Sequence, residues 1–408
     1  MNKRLVVCCD GTWNVPDQAS PTNVVKLALA VSERDKSGIE QRVFYHQGVG
    51  TTRGERIRGG SFGLGLSRDV RDCYRFLCEN YDPGDELYFI GFSRGAFTAR
   101  STAGLVRNSG VLRRENLDKL SDAFALYRKR GENSHPRGTG AKLFRRNFSH
   151  EPRVRFIGVF DTVGALGVPL KGLRIAALIN RRWQFHDTAL SSQVERAHHA
   201  LAIDEKRGPF QPTLWDRQES DQKQFVEQVW FAGVHSDVGG GYPDCALAEI
   251  PLLWMADRAA AAGLAFTKDV FAGTPSSAAE RAEGGWVGPD PMATIHESRK
   301  GLLYTALRPH YRQPGREQVA DPKSPGTVPW FKRLLPGARP SGSKVVASDQ
   351  SVSSSARDRF ESSEAAYDPP HLGEYLSGAD PEPAITDVRS TPGAPNGSES
   401  PENGLSSQ

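Results

Sequence analysis

No uninterrupted apolar run in this sequence approaches the roughly 18 residues that a membrane-spanning helix needs. The N-terminus also lacks the apolar core of a signal peptide, because only five apolar residues separate its two basic residues from Asp10. These absences predict a protein that is soluble and made in the cytoplasm. Export by a route that needs no cleaved signal peptide stays open.

Cysteine and net charge are both low. The five cysteines are an odd number, and Cys8 and Cys9 are neighbours in an apolar run, where consecutive side chains point to opposite faces. A disulfide framework is therefore not expected, and a reducing compartment fits the sequence better. The formal net charge of +4 is far from the concentrated basic footprint of a nucleic-acid-binding protein, so nucleic acid is not expected as a partner.

Hydrophobic residues make up 38% of the 408 residues and are concentrated in the first three quarters of the chain. Their strand-like runs are continuous rather than alternating, which is typical of parallel strands that are covered on both faces. Strands are predicted at 5–10, 42–50, 86–93, 154–164 and 228–241, with helices at 24–34, 68–80, 94–107, 191–203 and 246–262. This alternation predicts an α/β fold with a mostly parallel central sheet and helices on both faces.

From about residue 337 the sequence loses this periodicity and becomes rich in Ser, Pro, Gly and acidic residues. The composition predicts one catalytic domain at 1–336, followed by a disordered tail at 337–408. Within that tail the island 368–376 contains Tyr, Pro, His and Leu. The alternative to a tail that is disordered throughout is that this island docks as a short linear segment.

The pattern Gly-x-Ser-x-Gly occurs twice, around Ser61 and around Ser93. Ser61 follows a charged stretch without strand character, whereas Ser93 follows the strand-like DELYFIGF and precedes a helix-like segment that stops at Gly110. The nucleophile elbow of an α/β-hydrolase needs this strand-to-helix context, because the sharp turn exposes the hydroxyl and the flanking glycines allow close approach of the chain. Ser93 is therefore the predicted nucleophile, with a buried turn serine as the alternative.

A nucleophilic serine needs a histidine base and a carboxylate that orients the base. Asp161 and His235 each end a later predicted strand, in the order that α/β-hydrolases use, serine, then acid, then histidine. His296 is the rival base and Asp237 is the rival acid. Ordinary turn or capping roles are the alternatives for Asp161 and His235.

Acyl transfer also needs backbone N–H donors for the developing oxyanion. The N–H of Arg94, at the start of the predicted helix, supplies one, and the N–H of Gly11 or Thr12 supplies the second, with Asp10 supporting their loop. The same loop resembles an Asp-x-Asp-Gly-Thr phosphatase signature, but Cys8 stands in place of its first aspartate. An ordinary Asx turn is the alternative role of the loop.

Two further regions bear on substrate binding. The segment 168–185 mixes four basic residues with Leu, Ile, Trp and Phe, which is typical of an amphipathic helix that lies on an anionic membrane surface or forms a lid. A surface helix packed on the core is the alternative. His199 and Asp204 could line the pocket, although a structural ion pair or cap would use the same residues.

Six sequence blocks occur in order: CCDGTWN, YHQGVGT, YFIGFSRGAFTARSTAGLV, FDTVGALG, HALAIDEKRGPFQPTLW and WFAGVHSDVGGGYP. Together they resemble an α/β-hydrolase family long labelled a domain of unknown function, which also supplies the catalytic domain of type VI secretion phospholipase effectors. The resemblance spans about residues 3–310. It implies a triad of Ser93, Asp161 and His235, and ester hydrolysis with lipid or phospholipid substrates in the characterised branch. Those effectors usually add a membrane-associating region, whereas this chain continues into the predicted tail.

The leading hypothesis is a serine esterase or lipase that uses no cofactor or metal and acts on a small-molecule or lipid ester, with peripheral membrane contact through segment 168–185 as an option. A second hypothesis is a phosphoesterase that binds a divalent ion through Asp10, Asp161, His235 and Asp237. A third is a catalytically inactive hydrolase fold that serves for binding.

Overall fold

The computed structural model describes residues 2–12, 14, 18–48, 62–129, 131–163, 190–215, 224–267, 288–300, 309–315, 349–378 and 383–388. Within these ranges, eight parallel strands form one sheet. In order across the sheet they are β10 (Ile385–Thr386), β9 (Gln350–Ser353), β8 (Phe225–Phe231), β7 (Val194–Ala202), β6 (Val154–Phe160), β3 (Glu86–Phe92), β1 (Lys3–Cys9) and β2 (Glu40–His46). A short antiparallel pair, β4 (Val111–Leu112) with β5 (Ser149–His150), forms a second sheet.

The α-helices of the described ranges are α1 (Asn23–Ala30), α2 (Phe62–Asn80), α3 (Ser93–Ser109), α4 (Leu120–Arg128), α5 (Thr139–Phe148), α6 (His235–Gly239), α7 (Ala246–Ala261), α8 (Ser354–Glu361) and α9 (Leu372–Leu376). They cover both faces of the large sheet. In β1, Leu5 and Val7 enter the core formed with α2 and α3, while Val6 and Cys8 enter the opposite core formed with α1 and α7. The predicted α/β fold, with its parallel sheet between two helical layers, is confirmed.

The predicted helix at 191–203 is wrong, because this segment forms strand β7. Its nine residues pair with β6 on one side and β8 on the other, and most of them are buried. The alanines and histidines of this stretch carry little local preference, so pairing with two neighbours outweighs helix propensity. The predicted strand at 228–241 also ends early, at Phe231, and helix α6 begins at His235.

Two strands and two helices come from the stretch that composition assigns to a tail. β9 pairs with β8, and the indole N–H of Trp230 donates to the Oε1 atom of Gln350 at 3.0 Å. Val352 and Leu372 are buried with Trp230 in a third core cluster, so the island 368–376 does pack onto the domain. The disorder predicted for 337–408 therefore does not extend to residues 349–378 and 383–388, while the division of the chain at residue 336 stays a prediction.

Parallel strands place their carboxyl ends along one edge of a sheet, where ligands of open α/β folds bind. Asp10 follows β1, Ser93 follows β3, Asp161 follows β6 and His235 follows β8 by a short turn. The chain thus brings these four side chains to one edge from positions far apart in the sequence.

No helix within the described ranges is long and apolar enough to cross a membrane. Ser61 and the segment 168–185 lie outside those ranges.

Candidate active site

Ser93 occupies a strained turn between β3 and α3. Its φ of 57° lies in the left-handed region, which costs a non-glycine residue on the order of 1–3 kcal/mol. The flanking glycines are required by close packing, since a Cβ on Gly91 would lie 2.6 Å from the Cα of Ala96 and one on Gly95 would lie 2.2 Å from the carbonyl oxygen of Cys9. This is the geometry that the sequence predicts for a nucleophile elbow.

His235 joins Ser93 to Asp161. Its Nε2 atom lies 2.8 Å from Ser93 Oγ, and its Nδ1 atom lies 2.5 Å from Asp161 Oδ2. Because the carboxylate can only accept, Nδ1 carries the proton and Nε2 is left to accept from the hydroxyl. Ser93 keeps 6% of its surface exposed whereas Asp161 keeps none, so the carboxylate end of the relay is the more deeply buried.

Asp161 is itself held in an unusual backbone conformation, with a φ of 39°. Apart from glycines, Ser93, Asp161 and Ala366 are the described residues with positive φ, so two of the three belong to this relay. Burial alone would raise the pKa of Asp161, but the positive charge of Arg312 and the bond from His235 hold that pKa well below its usual range. The carboxylate therefore stays ionised across the neutral pH range.

Two aromatic rings enclose the imidazole of His235. The ring of Phe92 lies 4.6 Å from it, centre to centre, and the ring of Phe210 meets it edge-on at 5.0 Å. On its backbone side, the N–H of His235 donates to Glu205 Oε2 at 3.4 Å. Glu205 in turn accepts from the guanidinium of Arg207 at 2.8 Å. The imidazole is thus confined by apolar contacts while its two nitrogens face polar partners.

Asp10 organises the loop that passes beside Ser93. Its Oδ2 atom accepts from the hydroxyls of Thr22 at 2.6 Å and Tyr45 at 2.7 Å, and its Oδ1 atom accepts from the N–H of Gly11 at 2.6 Å. Burial raises the pKa of Asp10, and these bonds oppose that rise. A Cβ on Gly11 would lie 3.4 Å from that of Ser93, so the loop and the nucleophile are in contact.

The rival base and rival acid bind each other. His296 Nδ1 lies 2.6 Å from Asp237 Oδ1, and the His296 ring stacks on Tyr242 at 4.0 Å. The other oxygen of Asp237 accepts from the N–H of Val234 at 2.9 Å, which caps helix α6. The structure therefore brings His235, and not His296, to the Ser93 hydroxyl.

His199 and Asp204 hold backbone rather than contacting the Ser93 hydroxyl. His199 lies on β7 and its Nε2 atom accepts from the N–H of Thr162 at 3.0 Å, which fixes the peptide after Asp161. Burial, with Arg100 nearby, lowers the pKa of His199 to about 3, so the ring is neutral. Asp204 accepts from the N–H of Gly233 at 2.7 Å and from the hydroxyl of Tyr367 at 2.9 Å.

The four residues considered as metal ligands do not form a cluster. Within the described ranges, no three His, Cys, Asp or Glu side chains are arranged to hold a metal ion. Asp10, Asp161 and Asp237 each direct their oxygens to the separate hydrogen-bonding partners given above. The geometry of the donors therefore does not fit the phosphoesterase hypothesis.

A family model described as the type VI secretion system phospholipase effector Tle1-like catalytic domain matches residues 3–258, more than half of the chain. The chain belongs to this family. The Tle1-like family model describes a catalytic domain of phospholipase effectors.

Two uncharacterized proteins, each longer than the part that aligns, are similar to this Tle1-like chain. It is 29% identical over 230 residues to the uncharacterized protein YEL023C of Saccharomyces cerevisiae, an alignment that covers 51% of this chain and 32% of the yeast protein. The crystal structure of an uncharacterized protein from Pseudomonas aeruginosa aligns with 70% of this chain and 49% of that chain, at 18% identity and a TM-score of 0.40. The chain thus spans less than half of the length of each.

Sequence reasoning missed several residues of this Tle1-like site. Phe92, Glu205 and Phe210 surround His235, and Arg312 binds Asp161 from beyond the residues that the family model matches. Phe92 lies inside the Gly-x-Ser-x-Gly pattern and could have been found there. No pattern in the sequence distinguishes Arg312 from the other arginines of the chain.

Proposed function

We propose that this chain is a serine hydrolase that cleaves carboxylic esters of lipids or phospholipids through an acyl-enzyme. The observation that carries the proposal is the continuous relay from Ser93 Oγ to His235 at 2.8 Å and from His235 to Asp161 at 2.5 Å. Family membership supports the lipid class of substrate. The catalytic roles of these residues and the phospholipid specificity belong to the proposal.

Each step uses groups that are already in place. His235 Nε2 takes the proton of Ser93 as Oγ attacks the ester carbonyl, and the protonated imidazole then gives that proton to the departing alcohol. Water repeats the sequence on the acyl-enzyme and releases the fatty acid. Asp161 keeps Nδ1 protonated throughout, so that Nε2 is always the basic nitrogen.

The oxyanion formed during attack would be bound by the N–H groups of Arg94 and Thr12. Arg94 is the second residue of α3, at the helix N-terminus, where the helix dipole favours negative charge. Of the two loop donors that the sequence offers, Gly11 already donates to Asp10. Thr12 is therefore the donor that we propose.

We expect a fluorophosphonate probe to label the wild-type chain once, with a short-chain ester turned over in the presence of excess chelator. The reason is that an activated serine reacts with the probe and needs no metal ion. Intact mass and ester turnover measure the two results, and a panel of phospholipids, diacylglycerols and short-chain esters ranks the substrates. Activity that appears only when a divalent metal is added, without probe uptake, would contradict the proposal.

Replacing Asp10 by asparagine is expected to lower kcat by about 100-fold with a smaller effect on KM, the size seen when one oxyanion donor is lost. Asparagine presents only one acceptor oxygen, so it cannot serve Gly11, Thr22 and Tyr45 together. The matched control is Asp35→Asn, since Asp35 also accepts several turn hydrogen bonds but lies away from the site. Equal kcat in both variants would remove the loop from the mechanism.

A further inference from the structure

Arg312 reaches the relay from a part of the chain that the family model does not match, the segment 309–315. It is nearly fully buried and forms a fork on the carboxylate, with Nη1 at 2.6 Å from Asp161 Oδ1 and Nη2 at 3.0 Å from Asp161 Oδ2. The same two nitrogens donate to the carbonyl oxygens of Ala202 at 2.7 Å and Phe210 at 2.5 Å. One planar cation thus binds four acceptors.

These contacts join Arg312 to two of the groups that touch the imidazole of His235. Asp161 bonds to His235 from one side, and the ring of Phe210, whose carbonyl Arg312 holds, meets His235 edge-on. A guanidinium supplies its donors in a fixed plane, whereas a lysine ammonium is a single charge on a flexible stem. The fork therefore fixes the carboxylate plane as well as its charge.

Neighbouring segments hold Arg312 in place independently of Asp161. Two residues before it, the N–H of His310 donates to the carbonyl of Lys206 at 2.9 Å. Three residues after it, the N–H of Gly315 donates to the Oε1 atom of Gln350 at 3.2 Å, on strand β9. Strand β9 thereby supports the segment that carries Arg312.

We propose that Arg312 is a positioning residue of the active site, which fixes the Asp161 carboxylate and through it sets the orientation of His235 and the net charge of the pair that they form. The proposal rests on the triad proposed above. It extends the functional site past the matched domain to residues 309–315.

The charge of Arg312 has a defined effect on the pH dependence of hydrolysis. Among the described residues, the other charged or titratable groups near the Asp161–His235 pair include Glu205 with its ion-pair partner Arg207, and His199 with Arg100 beside it. Glu205 and Arg207 offset each other, and His199 is neutral. Removing Arg312 leaves the carboxylate charge uncompensated, which favours the protonated imidazole. The base is then blocked up to a higher pH, so the acid limb of the rate profile moves upward.

The experiment compares Arg312→Gln and Arg312→Lys with wild type in full pH profiles of kcat and kcat/KM. We expect Arg312→Gln to lower kcat by about 10–100-fold, with little change in KM, because a misplaced base costs rate rather than binding. Its acid limb should rise by about one pH unit. Arg312→Lys keeps the charge but not the fork, so its acid limb should stay near that of wild type while kcat remains reduced.

Arg359→Gln is the matched control, since Arg359 is also buried and donates to two carbonyls, those of Pro291 and Ala293, without contacting the triad. It should leave the acid limb unmoved. If Arg312→Gln does not fold, Arg312→Lys tests the proposal by itself, through a reduced kcat together with an acid limb near that of wild type. Wild-type kcat and an unmoved acid limb in the Arg312 variants, with Ser93→Ala inactive, overturn this proposal alone, whereas an active Ser93→Ala overturns the triad as well.

Discussion

Replacing Ser93 by alanine is expected to lower kcat for ester hydrolysis by about 10⁶-fold, the loss seen when the nucleophile of a serine hydrolase triad is removed. Alanine removes the oxygen that attacks the carbonyl and leaves His235 without a proton to take. The left-handed backbone at residue 93 costs alanine about as much as serine, so the turn itself should persist. Burst kinetics with a chromogenic ester, together with probe labelling, measure the loss.

Two other serine-to-alanine variants serve as controls for the loss of turnover and labelling expected of Ser93→Ala. Ser61 carries the second Gly-x-Ser-x-Gly pattern, and Ser101 is buried on the same helix as Ser93. Ser61→Ala and Ser101→Ala should retain labelling and turnover near the wild-type level. Wild-type turnover by Ser93→Ala, or loss of labelling in Ser61→Ala instead, would assign the nucleophile elsewhere.

A strand could be predicted where its own residues form a recognisable apolar run. β1, β3 and β6 are continuous apolar runs because both faces of each are buried, and this local feature is visible in the sequence. β7 could not be recognised, since its alanines and histidines become a strand only through pairing with β6 and β8. β9 is four residues long with one apolar side chain, and its burial is supplied by its neighbours.

The candidate site divides in the same way. The Ser93 turn is encoded locally, because the strand, the glycines and the helix are adjacent in the sequence and each has a steric reason to be there. Choosing between His235 and His296 required coordinates, since both histidines have an aspartate partner and only the distance to Ser93 Oγ separates them. Arg312 could not be predicted, because it lies 151 residues from Asp161 in the sequence and only the fold brings the two side chains together.

Replacing Asp161 by asparagine should lower kcat by about 10⁴-fold, because an amide no longer holds the proton on Nδ1 and His235 presents the wrong tautomer to Ser93. In this protein the substitution also leaves the positive charge of Arg312 buried without its counter-ion, since Arg312 packs against the Asp161 carboxylate. Leaving one member of a buried ion pair costs about 3–5 kcal/mol in the free energy of unfolding. Chemical denaturation at pH 7 measures this second effect, and His235→Ala, which leaves the ion pair intact, is the control.

Adding Arg312→Gln to Asp161→Asn removes the buried positive charge that has lost its counter-ion, so the double variant should regain stability without regaining activity.

The pH dependence of the stability difference between wild type and Asp161→Asn follows from the depressed pKa of Asp161 in the wild-type protein. A carboxylate whose pKa is lowered by folding stabilises the protein above its unfolded pKa of about 3.9, and the contribution fades as the pH falls below that value toward the folded pKa. The stability difference between wild type and Asp161→Asn should therefore be full at pH 7 and shrink below about pH 4. A difference that stays constant into acid, or a double variant no more stable than the single one, would show that Asp161 and Arg312 are not coupled as a buried ion pair.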